Sequence, residues 1–160
     1  MIRSDKHPNR KGAEYIGFAE DEKNTARILD QALSGKITAM VIFGQDLATL
    51  YSQYDVEGIL GKLELSVFIG SNRNVTSEYA ERVLPAATYA EKNGTFTNFE
   101  GRVQRIKRAL PPLGESKPES EILMLLAQAF GCDWHIFGEE RQVLPEKYSR
   151  KKRAVPPSPR

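Results

Sequence analysis

Ile37-Thr38-Ala39-Met40-Val41-Ile42-Phe43-Gly44-Gln45-Asp46 and, further along, Leu65-Ser66-Val67-Phe68-Ile69-Gly70 decide the fold class. Each is a short, nearly unbroken apolar run that stops at glycine, the pattern of a parallel strand covered on both faces. Between them Val56 to Leu63 reads as a helix. Ahead of the first, Thr25 to Leu33 places Ala26, Ile28, Leu29, Ala32 and Leu33 at helical spacing before Gly35. The order helix, strand, helix, strand predicts a βαβ unit. The expected fold is α/β, a partial doubly wound parallel sheet flanked by helices.

Outward from these runs, Val83-Leu84-Pro85 reads as a third, very short strand, because proline cannot continue to donate to a ladder. Asn93-Gly94 marks a turn or a left-handed cap, and Thr95 to Phe99 has extended-chain chemistry. Pro111-Pro112 and Gly114 break the chain. Glu119 to Phe130 then sets Ile122, Leu123, Leu126, Ala127, Ala129 and Phe130 at helical spacing before Gly131. Three parts follow: an irregular polar lead-in over 1–11 with His7-Pro8, one α/β domain over 12–146, and a basic, proline-rich tail over 147–160 that is expected to be disordered.

A length of 160 residues suits one domain, and 40% hydrophobic with 28% charged residues is ordinary for a soluble globular chain. A single cysteine excludes an internal disulfide, a four-cysteine iron-sulfur cluster or a four-thiolate zinc site made by this chain alone. Six of the 23 basic residues lie from Lys147 onward, leaving 17 against all 21 acidic residues before them, a net of −4 beside the overall +2. The tail run Arg150-Lys151-Lys152-Arg153 suits a solvated surface or an anionic partner. It lacks the interleaved aromatics of a single-strand binder, so no nucleic-acid partner is expected. The longest apolar runs, Ala39 to Gly44 and Ile122 to Ala127, are core-sized, so no membrane span is expected. The amino terminus carries no apolar signal region, which makes the cytoplasm the expected location.

In an open parallel sheet ligands bind beyond the carboxyl ends of the strands. Those ends are Gly44-Gln45-Asp46 and Gly70-Ser71-Asn72, where glycine admits close approach and the polar neighbours can hydrogen-bond. The alternative is that glycine merely ends a strand at a turn. Neither stretch is a dinucleotide fingerprint or a P-loop. Cys132-Asp133-Trp134-His135 is half a zinc site without its second pair, since the other histidine is His7. No metal ligands and no catalytic residues are expected, and the isolated chain is not expected to be an enzyme on its own.

The stretch from Val83 to Gln104, Val-Leu-Pro-Ala-Ala-Thr-Tyr-Ala-Glu-Lys-Asn-Gly-Thr-Phe-Thr-Asn-Phe-Glu-Gly-Arg-Val-Gln, closely resembles the V-L-P-A-A…E-x-x-G-T-x-x-N-x-E-G-R-x-Q signature of the molybdopterin oxidoreductase superfamily. Pro8-Asn9-Arg10-Lys11-Gly12-Ala13 resembles its upstream P-N-x-x-G-A segment, and Pro111 to Gly131 resembles a downstream one. Within the superfamily, Asn98 followed by Glu100-Gly101-Arg102 is most similar to the large iron-sulfur subunit of bacterial NADH:quinone oxidoreductase (respiratory complex I). The resemblance implies a carboxyl-terminal part of such a subunit: a structural, subunit-binding domain without its own redox centre, in a complex passing electrons to quinone. It further implies partners among the other subunits, iron-sulfur clusters elsewhere in the assembly, and a cytoplasmic site peripheral to the inner membrane. The alternative is a nucleotide-binding fragment of a molybdopterin enzyme such as formate dehydrogenase, with molybdopterin guanine dinucleotide as cofactor.

Departures from the family pattern weigh against cofactor binding. Counting back from Pro85, the family's Q-D falls on Ile69-Gly70 and its T-x-T on Asn74-Val75-Thr76, so the carboxylate suited to a guanine edge is missing. By this resemblance the residues of a vestigial cofactor site are Gly44, Asp46, Asn98 and Arg102. A buried Arg102 paired with Glu91 or Glu100 is the expected internal clamp, with phosphate binding by Arg102 as the alternative.

Overall fold

A computed structural model describes residues 9–17 and 22–131. A short helix, α1 (Arg10–Tyr15), precedes the amphipathic α2 (Glu22–Leu33), which enters β1 (Ala39–Phe43). Two helices, α3 (Leu47–Leu50) and α4 (Val56–Lys62), cross to β2 (Leu65–Gly70), and α5 (Val75–Tyr79) crosses to β3 (Arg82–Pro85). A 3-10 turn at Tyr89–Glu91 leads to the strands β4 (Gly94–Thr97) and β5 (Val103–Ile106), and α6 (Glu119–Ala129) follows.

The first three strands form one sheet in the order β1-β2-β3, and both ladders are parallel, with Val41 beside Val67 and Phe68 beside Val83. β2 is central and buried on both faces, which is why its apolar run is unbroken. On one face Phe68 packs with Met40 and Ile42 of β1, Leu29 and Ala32 of α2, Leu47 of α3 and Val56, Ile59 and Leu60 of α4. On the other, Val67 and Ile69 meet Ala86 and Ile122 of α6. Helices on both faces of a parallel sheet make this the α/β, partly doubly wound architecture expected from the two apolar runs. Side chains cap the crossover helices: Asp46 accepts from Thr49 N at α3, Asp55 from Gly58 N at α4, and Asn74 and Ser77 cap α5 reciprocally.

Three local expectations change. Arg10 and Lys11, read as part of an irregular lead-in, begin α1. Gly94 is no left-handed cap: it opens β4, paired with Ile106, while the Asn93 side chain accepts from Arg108 N at 3.0 Å. Asn98 and Phe99 leave the extended run, because the chain turns there to pair β4 antiparallel with β5. The Cys132 to His135 cluster, His7-Pro8 and the tail over 147–160 lie outside the described residues. No helix among the described residues is long and apolar enough to cross a membrane.

Candidate functional site

The carboxyl ends of the three parallel strands lie side by side. Gly44 N–H donates to Ile69 O at 2.8 Å, and Ala86 N–H to Gly70 O at 3.0 Å. Gly44, Gln45, Ser71 and Asn72 are exposed along this edge. Gly44 has φ +61 and open space where a side chain would begin, so another backbone or a ligand can approach it closely.

Asp46, one residue beyond Gln45, is already engaged. Its Oδ2 accepts from the Thr49 hydroxyl at 2.6 Å, and its Oδ1 accepts from the Thr76 hydroxyl at 2.9 Å and Thr76 N–H at 3.3 Å. The Thr76 hydroxyl oxygen in turn accepts from Ala48 N–H at 2.9 Å. The hydrogen bond from Thr49, joined by those from Thr76, holds the Asp46 carboxyl below its usual range against the opposing effect of desolvation. Thr76, the surviving threonine of the family's polar set, is fully buried and ties the loops after β1 and β2 together.

Gly70 marks the missing carboxylate. A Cβ placed there would meet Cε1 of the Phe68 ring at 2.6 Å, so an aromatic ring occupies the space a side chain would enter. The departure from the family pattern is thus matched by packing.

Asn98 and Arg102 sit apart from this edge, at the turn between β4 and β5. The Asn98 side-chain oxygen accepts from Glu100 N–H at 3.0 Å and Arg102 N–H at 2.9 Å, while Asn98 N–H donates to Arg102 O at 3.0 Å. Asn98 is the pin of the hairpin. Among the described residues no hydrogen bond or ion pair joins Asn98 or Arg102 to Gly44 or Asp46.

The expected internal clamp through Arg102 is corrected by the same geometry. Arg102 is exposed, and its guanidinium pairs with neither Glu91 nor Glu100. Glu91 instead accepts from Thr88 N–H at 2.8 Å and Leu113 N–H at 3.2 Å. The first of these bonds leads in holding its carboxyl below the usual value. Glu91 thereby caps the 3-10 turn and fastens it to the loop carrying Pro111-Pro112. The spacing Thr88-x-x-Glu91 is a capping-box signature, the sequence signal for this role.

A second staple had no local signal. Asn9, at φ 69, turns its side-chain oxygen to accept from the buried Thr97 N–H at 2.8 Å. Its side chain also covers Gly12, where any Cβ would collide with it. At the hairpin turn, Gly101 has φ +83, and the Tyr15 hydroxyl occupies the space its Cβ would need. The asparagine and glycine of the P-N-x-x-G-A segment and the glycine of E-G-R are thus parts of one interface, α1 against the hairpin.

Of the four residues read as a vestigial cofactor site, Gly44 and Arg102 are exposed, while Asp46 and Asn98 accept hydrogen bonds from the fold itself. No group of three or more metal-ligating side chains occurs among the described residues.

Comparison with known proteins accords with this architecture. The family model for molybdopterin oxidoreductases matches residues 9–129. The chain is 39% identical over 114 residues to a Staphylococcus haemolyticus protein named "Putative formate dehydrogenase", covering 71% of this chain and 12% of that one. A Bacillus subtilis protein of the same name is 36% identical over 152 residues, covering 89% and 16%. A Staphylococcus aureus (strain USA300) protein so named is 35% identical over 114 residues, covering 71% and 12%. The chain therefore spans 12–16% of the length of these relatives. With the signature residues from Asn9 to Gly101 joined in one fold and the family match running from 9 to 129, this chain belongs to the molybdopterin oxidoreductase family.

Proposed function

We propose that the chain is a segment of a formate dehydrogenase-type molybdopterin oxidoreductase, contributing folded scaffold and strand-end loops while the redox centres are held by the rest of the assembly. The observation that carries this reading is the shared name of relatives 35–39% identical over at least 71% of this chain. It replaces the complex I reading, which rested on the Asn98 to Arg102 motif. In that motif the Asn98 side chain pins the hairpin, while Arg102 stays exposed, and the relatives' names favour the formate dehydrogenase-type reading. The engagement of Asp46 with Thr49 and Thr76, and of Asn98 with the hairpin amides, supports a scaffold role for these loops.

The test is purification of the native assembly through a tag on this chain. Molybdenum, an extractable pterin fluorophore and formate-dependent dye reduction are expected. NADH-dependent quinone reduction without molybdenum would overturn the reading.

A further inference from the structure

Asn93-Gly94 is the one Asn-Gly pair in the sequence, and the fold uses its glycine for neither a turn nor a cap. Gly94 opens β4 without a positive φ, and a Cβ placed on it would meet Ile106 Cγ1 at 3.8 Å, an ordinary contact. Packing and backbone conformation therefore leave room for a side chain at this position. What glycine alone supplies here is chemical: with no Cβ beside it, its amide nitrogen has a clear approach to the carboxamide of the preceding residue.

In the closed hairpin both reacting groups are engaged elsewhere. Asn98 N–H donates to Arg102 O at 3.0 Å, so alternate pairs along the ladder, ending with Gly94 and Ile106, exchange hydrogen bonds. Gly94 N–H is thereby directed at Ile106 O. The Asn93 side-chain oxygen accepts from Arg108 N–H at 3.0 Å. Ala109 N–H, donating to Ala90 O at 2.8 Å, fastens the same end of the hairpin. Asn93, Lys107 and Arg108 are nonetheless exposed there, and Gly94 with Ile106 is the last pair of a short ladder, where opening is easiest.

We propose that Asn93 is a site of spontaneous covalent modification, controlled by opening of the hairpin base. In the open state the Gly94 amide nitrogen gives up its proton and attacks Asn93 Cγ. The bond from Cγ to Nδ2 breaks, ammonia leaves, and a succinimide ring joins the two residues. Water then adds to one of the two ring carbonyls, and the ring opens to aspartate or to isoaspartate, with no oxidation or reduction. The products differ in consequence. Aspartate keeps an acceptor for Arg108 N–H and places a negative charge beside the exposed Lys107 and Arg108. Isoaspartate adds a carbon to the backbone ahead of Gly94, which moves Gly94 N–H out of line with Ile106 O and releases the hairpin base. The proposal is independent of which assembly the chain joins.

Incubation of the full chain at mildly alkaline pH, folded and in unfolding urea, tests it by peptide mass mapping with an isoaspartate-specific methyltransferase as second readout. In urea, position 93 is expected to convert faster than the other asparagines and to yield both products. In the folded chain the conversion is expected to slow by roughly tenfold or more, and by the same factor as hydrogen exchange at the Gly94 amide to within about threefold. Gly94→Ala, which the packing admits, is expected to lose most of the conversion in urea while the chain still melts cooperatively. Equal rates in the folded and unfolded chain, or a slowing far smaller than the exchange protection of Gly94, overturn the control by hairpin opening. No preference for position 93 in urea, or undiminished conversion in Gly94→Ala, overturns the site itself.

Discussion

Thr97 donates its buried backbone N–H to the side-chain oxygen of Asn9, 88 positions earlier, at 2.8 Å. That bond joins the first described helix to the hairpin. α1 has six residues, too few to persist by itself in water, so its place depends on this tertiary anchor. Asn9→Ala removes the acceptor and puts a less suited residue in the left-handed region; a loss of about 1–3 kcal/mol is expected in urea unfolding. Asn9→Gly keeps the backbone conformation but not the acceptor and should lose less.

Gly101 carries two constraints, a positive φ and the Tyr15 hydroxyl above it. Gly101→Ala should destabilise by about 1–3 kcal/mol. Adding Tyr15→Phe, which takes away the obstructing oxygen, should restore part of the thermal midpoint but not all of it, because the backbone strain remains.

Asp46 is held below its ordinary value of 3.8 by the Thr49 and Thr76 hydrogen bonds. A lowered folded-state value means the unfolded chain takes up the proton first. The stabilisation is therefore fully present above the ordinary carboxylate value and is lost as pH falls through the lower folded one. Thr76→Val should flatten the acid limb of the stability curve below about pH 4. It should also lower stability at neutral pH, where the loss of a buried hydroxyl with two partners is felt. Equilibrium denaturation from pH 2 to 7 checks both.

Gly70→Asp restores the residue that the family pattern places there, and should fail structurally. The Phe68 ring fills the position, so overpacking is expected to cost about 1–3 kcal/mol. Phe68→Leu in the same chain should relieve part of that cost, as read by denaturant midpoint.

Arg102 is exposed and without an ion pair among the described residues. Arg102→Ala should leave the unfolding free energy of the chain within about 0.5 kcal/mol. Any marked loss should appear in copurification with the rest of the assembly.

Local chemistry made the sheet legible before any fold was seen. Ala39–Phe43 and Leu65–Gly70 are apolar because parallel strands are covered on two faces, and that requirement leaves its mark in consecutive residues. Glu119–Ala129 was legible for the same reason, as helical spacing between breakers. Shorter elements were not: α3 and α5 hold four and five residues, below the length at which periodicity shows, and β5 has only one turn of chain separating it from β4.

The motif that announced the family did not announce the role of its residues. Asn98 and Glu91 serve backbone amides, Arg102 points to solvent, and the carboxylate lost at Gly70 is answered by Phe68. A side chain's partner depends on which segments the fold brings together, and Asn9 lies far along the chain from Thr97, as Asp46 does from Thr76. What the sequence by itself determined is the two buried strands with their longer helices, the parallel class of the sheet and the family. Only the tertiary structure decided which motif residues are staples and which strand-end residues stay exposed, because both depend on strand order and on contacts between residues remote in sequence.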